Sequence, residues 1–327
     1  MRLRSFSESG WFTSINIETL DEQLHKKRTG ITELGAWNMF GVYAPVNIDH
    51  RGWSSTMMIY AVTSQKGGVG KTTTTVNLGA GLVSLGKRVL IIDLDPQGSL
   101  SVSVGVHLIK TSLSDVLLNP EWIKNAIYPC AGGMNVIPAS ASLANVLLEL
   151  SDMEAPAWRL AQALRYVSNL YDYALIDCPP SLGHATTNAL TAANVALVPL
   201  QCEFLSLRGL ADVQEISRAI QDTTNPDLRL RVVATMYDKR TIHANDVLRE
   251  ARLALPGLVY ETVIPRTIRL AEAPAMGKTI LEYAPDSNGT YAYCALATEI
   301  MEEDKGYGTT RRYTSGDAQS TLTRKAA

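Results

Sequence analysis

The sequence has no stretch approaching the roughly 18 consecutive apolar residues that a membrane-spanning helix needs. Arg2 and Arg4 are followed by Ser, Glu and Gly rather than an apolar run, so a secretory signal is not expected. Cysteine is sparse. Cys130, Cys178, Cys202 and Cys294 are scattered, with no C-x-x-C pair. That excludes a disulfide frame or a zinc site and fits reduced, partly buried thiols of a cytosolic protein. Excess basic charge is also missing: 30 Lys and Arg against 32 Asp and Glu give a net charge of −2. Any contact with nucleic acid must therefore come from a local patch, or from one assembled by two subunits. There is no internal repeat. What remains is an ordinary globular composition, 46% hydrophobic and 19% charged over 327 residues, enough for one large α/β domain or two small ones.

Three of the five tryptophans (Trp11, Trp37 and Trp53) fall in residues 1–56, among Gly, Ser and Asn, where only 17–27 is weakly helical. This part reads as a flexible extension or an over-called translation start. From 57 onward apolar runs alternate with helical patterns. Strands are expected at 58–62, 88–93, 135–138, 173–177, 195–199, 231–236 and 259–264, and an amphipathic helix at 157–170. Gly86, just before the second strand, suits a helix C-terminus. Near-continuous apolar strands separated by helices predict an α/β fold: a mostly parallel, twisted sheet with helices on both faces. The compact domain is expected over 57–302, with 303–327, rich in Gly, Ser, Thr, Arg and Lys, as a disordered tail.

Directly behind the first strand stands Gln65-Lys66-Gly67-Gly68-Val69-Gly70-Lys71-Thr72-Thr73. A strand, a glycine-rich loop, then lysine and threonine opening a helix is how a chain builds a phosphate cradle. Glycines let successive N–H groups turn toward one anion. Lys71 would reach the β- and γ-phosphates, Thr72 would ligate Mg²⁺, and the helix N-terminus would face the same charge. The common pattern G-x-x-x-x-G-K-[ST] fails at Gln65, and Lys66 stands at the head of the loop instead. Lys66 is either a solvated loop lysine or one that crosses a symmetric interface to a second subunit's nucleotide, supplying positive charge in trans.

Acidic residues close two of the strands. Asp177, before Cys178-Pro179-Pro180, is placed to support Mg²⁺ directly or through water. In Asp93-Leu94-Asp95-Pro96-Gln97-Gly98 two carboxylates would share a side if the strand continued, one for the metal's water shell and one to orient the attacking water. A simple Asp-Pro turn is the competing reading.

Together these segments resemble the ParA/MinD group of P-loop ATPases. Lys66 to Thr73 matches that group's deviant Walker A motif, Asp93 to Gly98 its second motif, and Leu175-Ile176-Asp177-Cys178-Pro179-Pro180-Ser181-Leu182-Gly183 its Walker B. Val198-Pro199-Leu200-Gln201-Cys202-Glu203, Arg208-Gly209-Leu210 and the stretch from Ile264 to Pro274 are similar to the ParA/Soj branch. The likeness covers about 58–302. It implies an ATPase that dimerises with ATP and Mg²⁺, binds DNA without sequence preference, and is released when a ParB-type centromere-binding protein stimulates hydrolysis. Such a protein is cytoplasmic and nucleoid-associated. Carried onto this chain, the resemblance makes Lys66 the cross-subunit lysine and Lys71 the P-loop lysine. Gly67, Gly68, Val69, Gly70, Thr72 and Thr73 complete the cradle. Asp95 would position the attacking water, and Thr72, Asp93 and Asp177 would serve the metal. Met236, Pro265 and Arg266 would lie near the adenine. By position, Arg218, Arg240 and Arg249, with Lys239 and Arg269, correspond to basic residues that contact DNA phosphates. Residues 1–56 are too short for a winged-helix autorepressor domain, so operator binding is not expected.

A MinD-like membrane-associated ATPase shares the lysine motif and should end in an amphipathic helix. The sequence ends Ser320-Thr321-Leu322-Thr323-Arg324-Lys325-Ala326-Ala327, with one large apolar residue, so no membrane partner is expected. An iron–sulfur reductase of the nitrogenase type would need cysteines bridging two subunits, and Cys130 in Cys130-Ala131-Gly132-Gly133 has no second cysteine suitably near. A small-molecule ligase stays open, and the sequence does not name the cargo of a positioning ATPase.

Overall fold

The computed structural model describes residues 57–306 apart from 204–205, with the backbone alone for 206–210. The expected extension at 1–56, with its helical stretch at 17–27, and the chain from 307 on lie outside the described residues.

In chain order, β1 (Met58–Val62) leads through the glycine loop into α1 (Lys71–Ser84), followed by β2 (Val89–Asp93). Next come α2 (Ser99–Ser103), α3 (Leu113–Leu118), β3 (Tyr128–Pro129), β4 (Asn135–Ile137), α4 (Leu143–Glu149) and α5 (Arg159–Arg165). Then follow β5 (Tyr173–Asp177), α6 (His184–Ala192), β6 (Val195–Gln201), α7 (Ser206–Gln221), β7 (Arg229–Tyr237), α8 (Ile242–Ala254) and β8 (Val259–Pro265). The last elements among the described residues are α9 (Arg269–Glu272), α10 (Ile280–Tyr283) and α11 (Asn288–Lys305).

The strands form one eight-stranded sheet in the order β3-β4-β2-β5-β1-β6-β7-β8, parallel except for β3 against β4. Alternating side chains along the strands enter different clusters, as the two-residue strand period requires. Val195, Leu197, Val233, Tyr260 and Ile264 pack with α1 and α11 through Val76, Leu82, Tyr293 and Ile300. Val198, Leu200, Val232, Ala234 and Val259 pack instead with Val213 of α7 and Ala244, Val247 and Ala251 of α8. Helices thus cover both faces, and the expected α/β architecture of a P-loop NTPase holds. Gly86 (φ +80°) ends α1 as expected: its N–H donates to the Val83 carbonyl and that of Lys87 to the Leu82 carbonyl, satisfying the last helical carbonyls.

Several expectations need correction. The helix expected over 157–170 is regular only from Arg159 to Arg165. A three-residue turn, Pro156–Trp158, precedes it, entered through Ala155 in the left-handed region (φ +52°). Past Arg165 the bonds tighten to three-residue spacing, from Tyr166 N to Ala163 O and from Val167 N to Leu164 O, so the apolar periodicity outlasts the α-helix. The antiparallel β3, two residues long, was not foreseen. The tail was expected from 303, but α11 runs to Lys305. Glu303 and Asp304 are built into the sheet's lower edge through Arg231 and Tyr60.

Candidate nucleotide site

Strand register brings the site together. In the parallel ladder Asp177 stands opposite Val62 on one side and Asp93 on the other, so the phosphate loop leaves β1 level with both carboxylates. The connections also diverge between β1 and β5, since β1 leads past β5 to β2 and β5 leads back past β1 to β6, the place where open α/β sheets leave a crevice for ligands.

Within the loop, Gly68 (φ +75°) and Gly70 (φ +91°) are left-handed, a conformation costly to any residue with a Cβ. A Cβ at Gly67, Gly68 or Gly70 would meet no atom within 4 Å, so backbone conformation rather than crowding requires glycine. The open space over these amides is what an oxyanion needs. No side chain caps α1, whose first-turn N–H groups lack intrahelical acceptors and point toward the same opening. The loop is anchored from below, where the Thr235 hydroxyl donates to the Val69 carbonyl at 2.9 Å. Lys71 is buried, its ammonium 3.4 Å from the Lys66 carbonyl oxygen. Burial lowers its proton affinity, while Asp177, Cys178 and Asp95 pull the other way.

The two carboxylates are under strain of an electrostatic kind. The Thr72 hydroxyl donates to Asp177 Oδ2 at 2.6 Å, and Ser101 donates both N–H and hydroxyl to Asp93 Oδ2, at 2.8 and 2.6 Å. The second oxygen of each, Oδ1, is buried without a hydrogen-bond partner. Burial, with Asp93 adding repulsion, pushes Asp177 up to about 8 despite Thr72 and Lys71; burial pushes Asp93 up to about 6. Two buried carboxyl oxygens without hydrogen-bond partners, beside a threonine hydroxyl, fit a divalent cation. Among the described residues no group of three or more His, Cys, Asp and Glu could hold a metal. That donor set suits Mg²⁺, which keeps several waters and takes the rest of its shell from one or two protein groups and phosphate oxygens.

The strand ends at Asp93, so strand alternation does not set the position of Asp95, whose charge nevertheless acts on Asp93, Asp177 and Lys71. The carbonyl of Asp95 accepts Gly98 N at 2.9 Å and its carboxylate accepts Gln97 N at 3.0 Å. The Asp-Pro turn therefore forms, and it presents Asp95 half-buried at the rim while Asp93 lies fully buried below. Lys66 meets a residue of its own chain: Nζ lies 3.2 Å from Glu203 Oε2, just past β6. On the other flank Met236 (φ +52°) is a left-handed non-glycine residue, the kind of backbone strain concentrated at functional sites. Pro265 pairs with Tyr237, and Arg266 N donates to the Tyr237 carbonyl at 3.0 Å. Both lie at the same sheet edge as Thr235, which reaches the loop.

The basic residues matched to DNA contacts are exposed and mostly paired locally. Arg218 ends α7, and Lys239 is exposed just before α8. Arg240 forks onto Asp238, Arg249 reaches Asp246 at 2.9 Å, and Arg269 reaches Glu272 at 3.0 Å. α7 and α8 share one apolar cluster, so Arg218 and Arg249 belong to the same outer layer of the molecule. Ser101, Glu203 and Thr235 were missed at the sequence level. Ser101 alone left a signal, a serine three residues beyond the Asp95–Gly98 turn.

A family described as an AAA domain matches residues 57–230. Sporulation initiation inhibitor protein Soj of Bacillus subtilis is 43% identical over 246 residues, covering 74% of this chain and 97% of Soj. Chromosome partitioning protein ParA of Caulobacter vibrioides is 41% identical over 258 residues, covering 77% of this chain and 97% of that protein. The chain belongs to the ParA/Soj family of partitioning ATPases. Among solved structures, cobyrinic acid a,c-diamide synthase of Mycobacterium smegmatis with bound ADP and magnesium superposes with a TM-score of 0.68. It is 36% identical, over 79% of this chain and 99% of that one. The chain is thus an ATPase of the ParA/Soj family, and the resemblance noted in its motifs extends over the whole described domain.

Proposed function

We propose that the chain is an ATP-dependent DNA partitioning ATPase that works as a nucleotide-clamped homodimer. ATP is held by the amides of Gly67, Gly68, Val69 and Gly70 and by Lys71, Thr72 and Thr73, with the base beside Met236, Pro265 and Arg266. Thr72 would hold Mg²⁺, supported by Asp177 and Asp93, and the metal would neutralise charge on the phosphate oxygens. Asp95, at the rim, orients the attacking water. Lys66 gives up Glu203 and extends to the nucleotide of the second copy, adding positive charge where charge spreads in the transition state. The dimer then presents Arg218, Arg240 and Arg249, with Lys239 and Arg269, to DNA phosphates without reading sequence. A ParB-type partner stimulates hydrolysis and so release. The setting is the cytoplasm, on the nucleoid.

The observation that carries this reading is Lys66 at the head of the phosphate loop, on a half-exposed side chain whose ion pair with Glu203 is a surface contact, a kind worth little. The synthase neighbour raises a ligase reading, but no cysteine here is prepared as the nucleophile of an amide-transfer step. Burial pushes Cys130 up to about 12, Cys202 to about 11 and Cys178 higher still, and Cys294 is half-buried in α11. Native-gel retention on non-specific DNA, with ATP, ADP or no nucleotide, tests the proposal. Retention should require ATP and vanish in Lys66→Ala. Retention indifferent to nucleotide would refute the switch, and ATP-dependent sedimentation with liposomes would favour the membrane-associated alternative.

A further inference from the structure

We propose that Ser101 is a positioning residue for hydrolysis: with Asp93 it clamps the two ends of the turn that carries Asp95. The inference rests on the role given to Asp95 above. Residues 94–100 leave β2 at Asp93 and return through α2. At the leaving end, Leu94 N donates to the Asp177 carbonyl at 3.0 Å, tying the chain to β5. At the returning end, Ser101 closes onto Asp93 Oδ2 through its N–H at 2.8 Å and its hydroxyl at 2.6 Å. The same hydroxyl accepts from Ala139 N at 3.2 Å, which joins α2 to the segment after β4. Between the two ends, Asp95 accepts from Gln97 N and Gly98 N within its own turn, and its backbone N–H turns back to the Asp93 carboxylate.

The location of Asp95 is therefore inherited from the clamp. Ser101 is 3% exposed and Asp93 0%, so water does not compete for these bonds. A hydrogen bond to an ionised carboxylate is roughly twice as strong as a neutral one. A hydroxyl is also needed for the geometry: one oxygen donates to Asp93 while accepting from Ala139, which alanine or valine cannot do. Displacement of a water-orienting group by about 1 Å costs on the order of 100-fold in rate without touching ground-state binding.

The test compares the full-length chain with Ser101→Ala, Ser101→Thr and Asp95→Ala, reading phosphate release, affinity for a fluorescent ATP analogue, and particle mass with ATP. Ser101→Ala should lower kcat at least about tenfold while analogue affinity stays within about twofold and the ATP-dependent mass is kept. Ser101→Thr should return kcat to within a few-fold of the parent. Unchanged kcat in Ser101→Ala would overturn the proposal. So would loss of analogue binding in step with turnover, which marks a folding role, or failure of threonine to rescue. If Ser101→Ala does not fold, Ser101→Cys, which keeps the volume but bonds weakly, carries the same expectation. Normal turnover in Asp95→Ala would remove the reading of Asp95 itself. Slow Asp95→Ala beside normal Ser101→Ala would remove the clamp alone.

Discussion

The two edges of the sheet treat buried charge in opposite ways. At the amino edge, Asp304 Oδ2 accepts the Tyr60 hydroxyl at 2.8 Å and its other oxygen lies 3.5 Å from Arg229. Arg231 grips Glu303 there and covers the Tyr260 ring, with 5.9 Å to the ring centroid. These groups join α11 to β1, β7 and β8, and each charge has an opposite charge of the same chain beside it. At the carboxyl edge, Asp93 and Asp177 each keep a buried oxygen with no hydrogen-bond partner, and three residues of the site are left-handed: Gly68, Gly70 and Met236. One edge pairs both of its acids with arginines of the same chain, although Asp304 Oδ1 and the Tyr260 hydroxyl also lack a hydrogen bond. The other is assembled for charge that arrives from outside.

That contrast can be broken by mutation. The largest expected effect is Lys71→Ala, which removes the one buried cation of the cradle and should abolish ATP-analogue binding over a range of about 100-fold in concentration. Binding at the parent's affinity would mean the cradle is misassigned. Next, Asp177→Asn keeps an acceptor for Thr72 and removes a buried carboxyl whose ionised form burial already disfavours. Turnover should fall at least about 100-fold, while the melting temperature without nucleotide stays level or rises. A large loss of stability would show that Asp177 is structural. At the other edge the signs reverse. Asp304→Ala breaks a buried pair and should cost about 3 kcal/mol, a fall of roughly 6 to 12 °C in a domain of this size, with kcat per folded molecule unchanged. Smallest is Arg218→Ala, which should weaken DNA binding modestly and reduce the slope of log affinity against log salt by about 1. An unchanged slope would take Arg218 off the DNA face.

What the sequence disclosed, and what it withheld, follows from separation along the chain. The phosphate loop was readable because its chemistry is contiguous: Lys66 to Thr73 follow one strand and open one helix, and Asp177 ends another strand. The sheet was readable because β2 and β5 are apolar up to their final aspartate and buried throughout. The groups that hold the site still were hidden. Thr235 supports Val69 across 166 positions and Glu203 faces Lys66 across 137, and neither has a local pattern. The position of Asp95 was hidden for a different reason. Alternation sets a side only while a strand persists, and Pro96 and Gly98 turn the chain first. The helix over 157–170 was too long because periodicity records which side faces the core and not which hydrogen bonds close.

The central claim is that ATP joins two copies through Lys66. The most direct test is particle mass by light scattering with ATP, using Asp95→Ala to slow turnover and the Asp95→Ala, Lys66→Ala double variant beside it. The account predicts twice the monomer mass for the single variant with ATP, and monomer for the double variant and for either without nucleotide. A double variant that still pairs with ATP, or a single variant that never does, would contradict it.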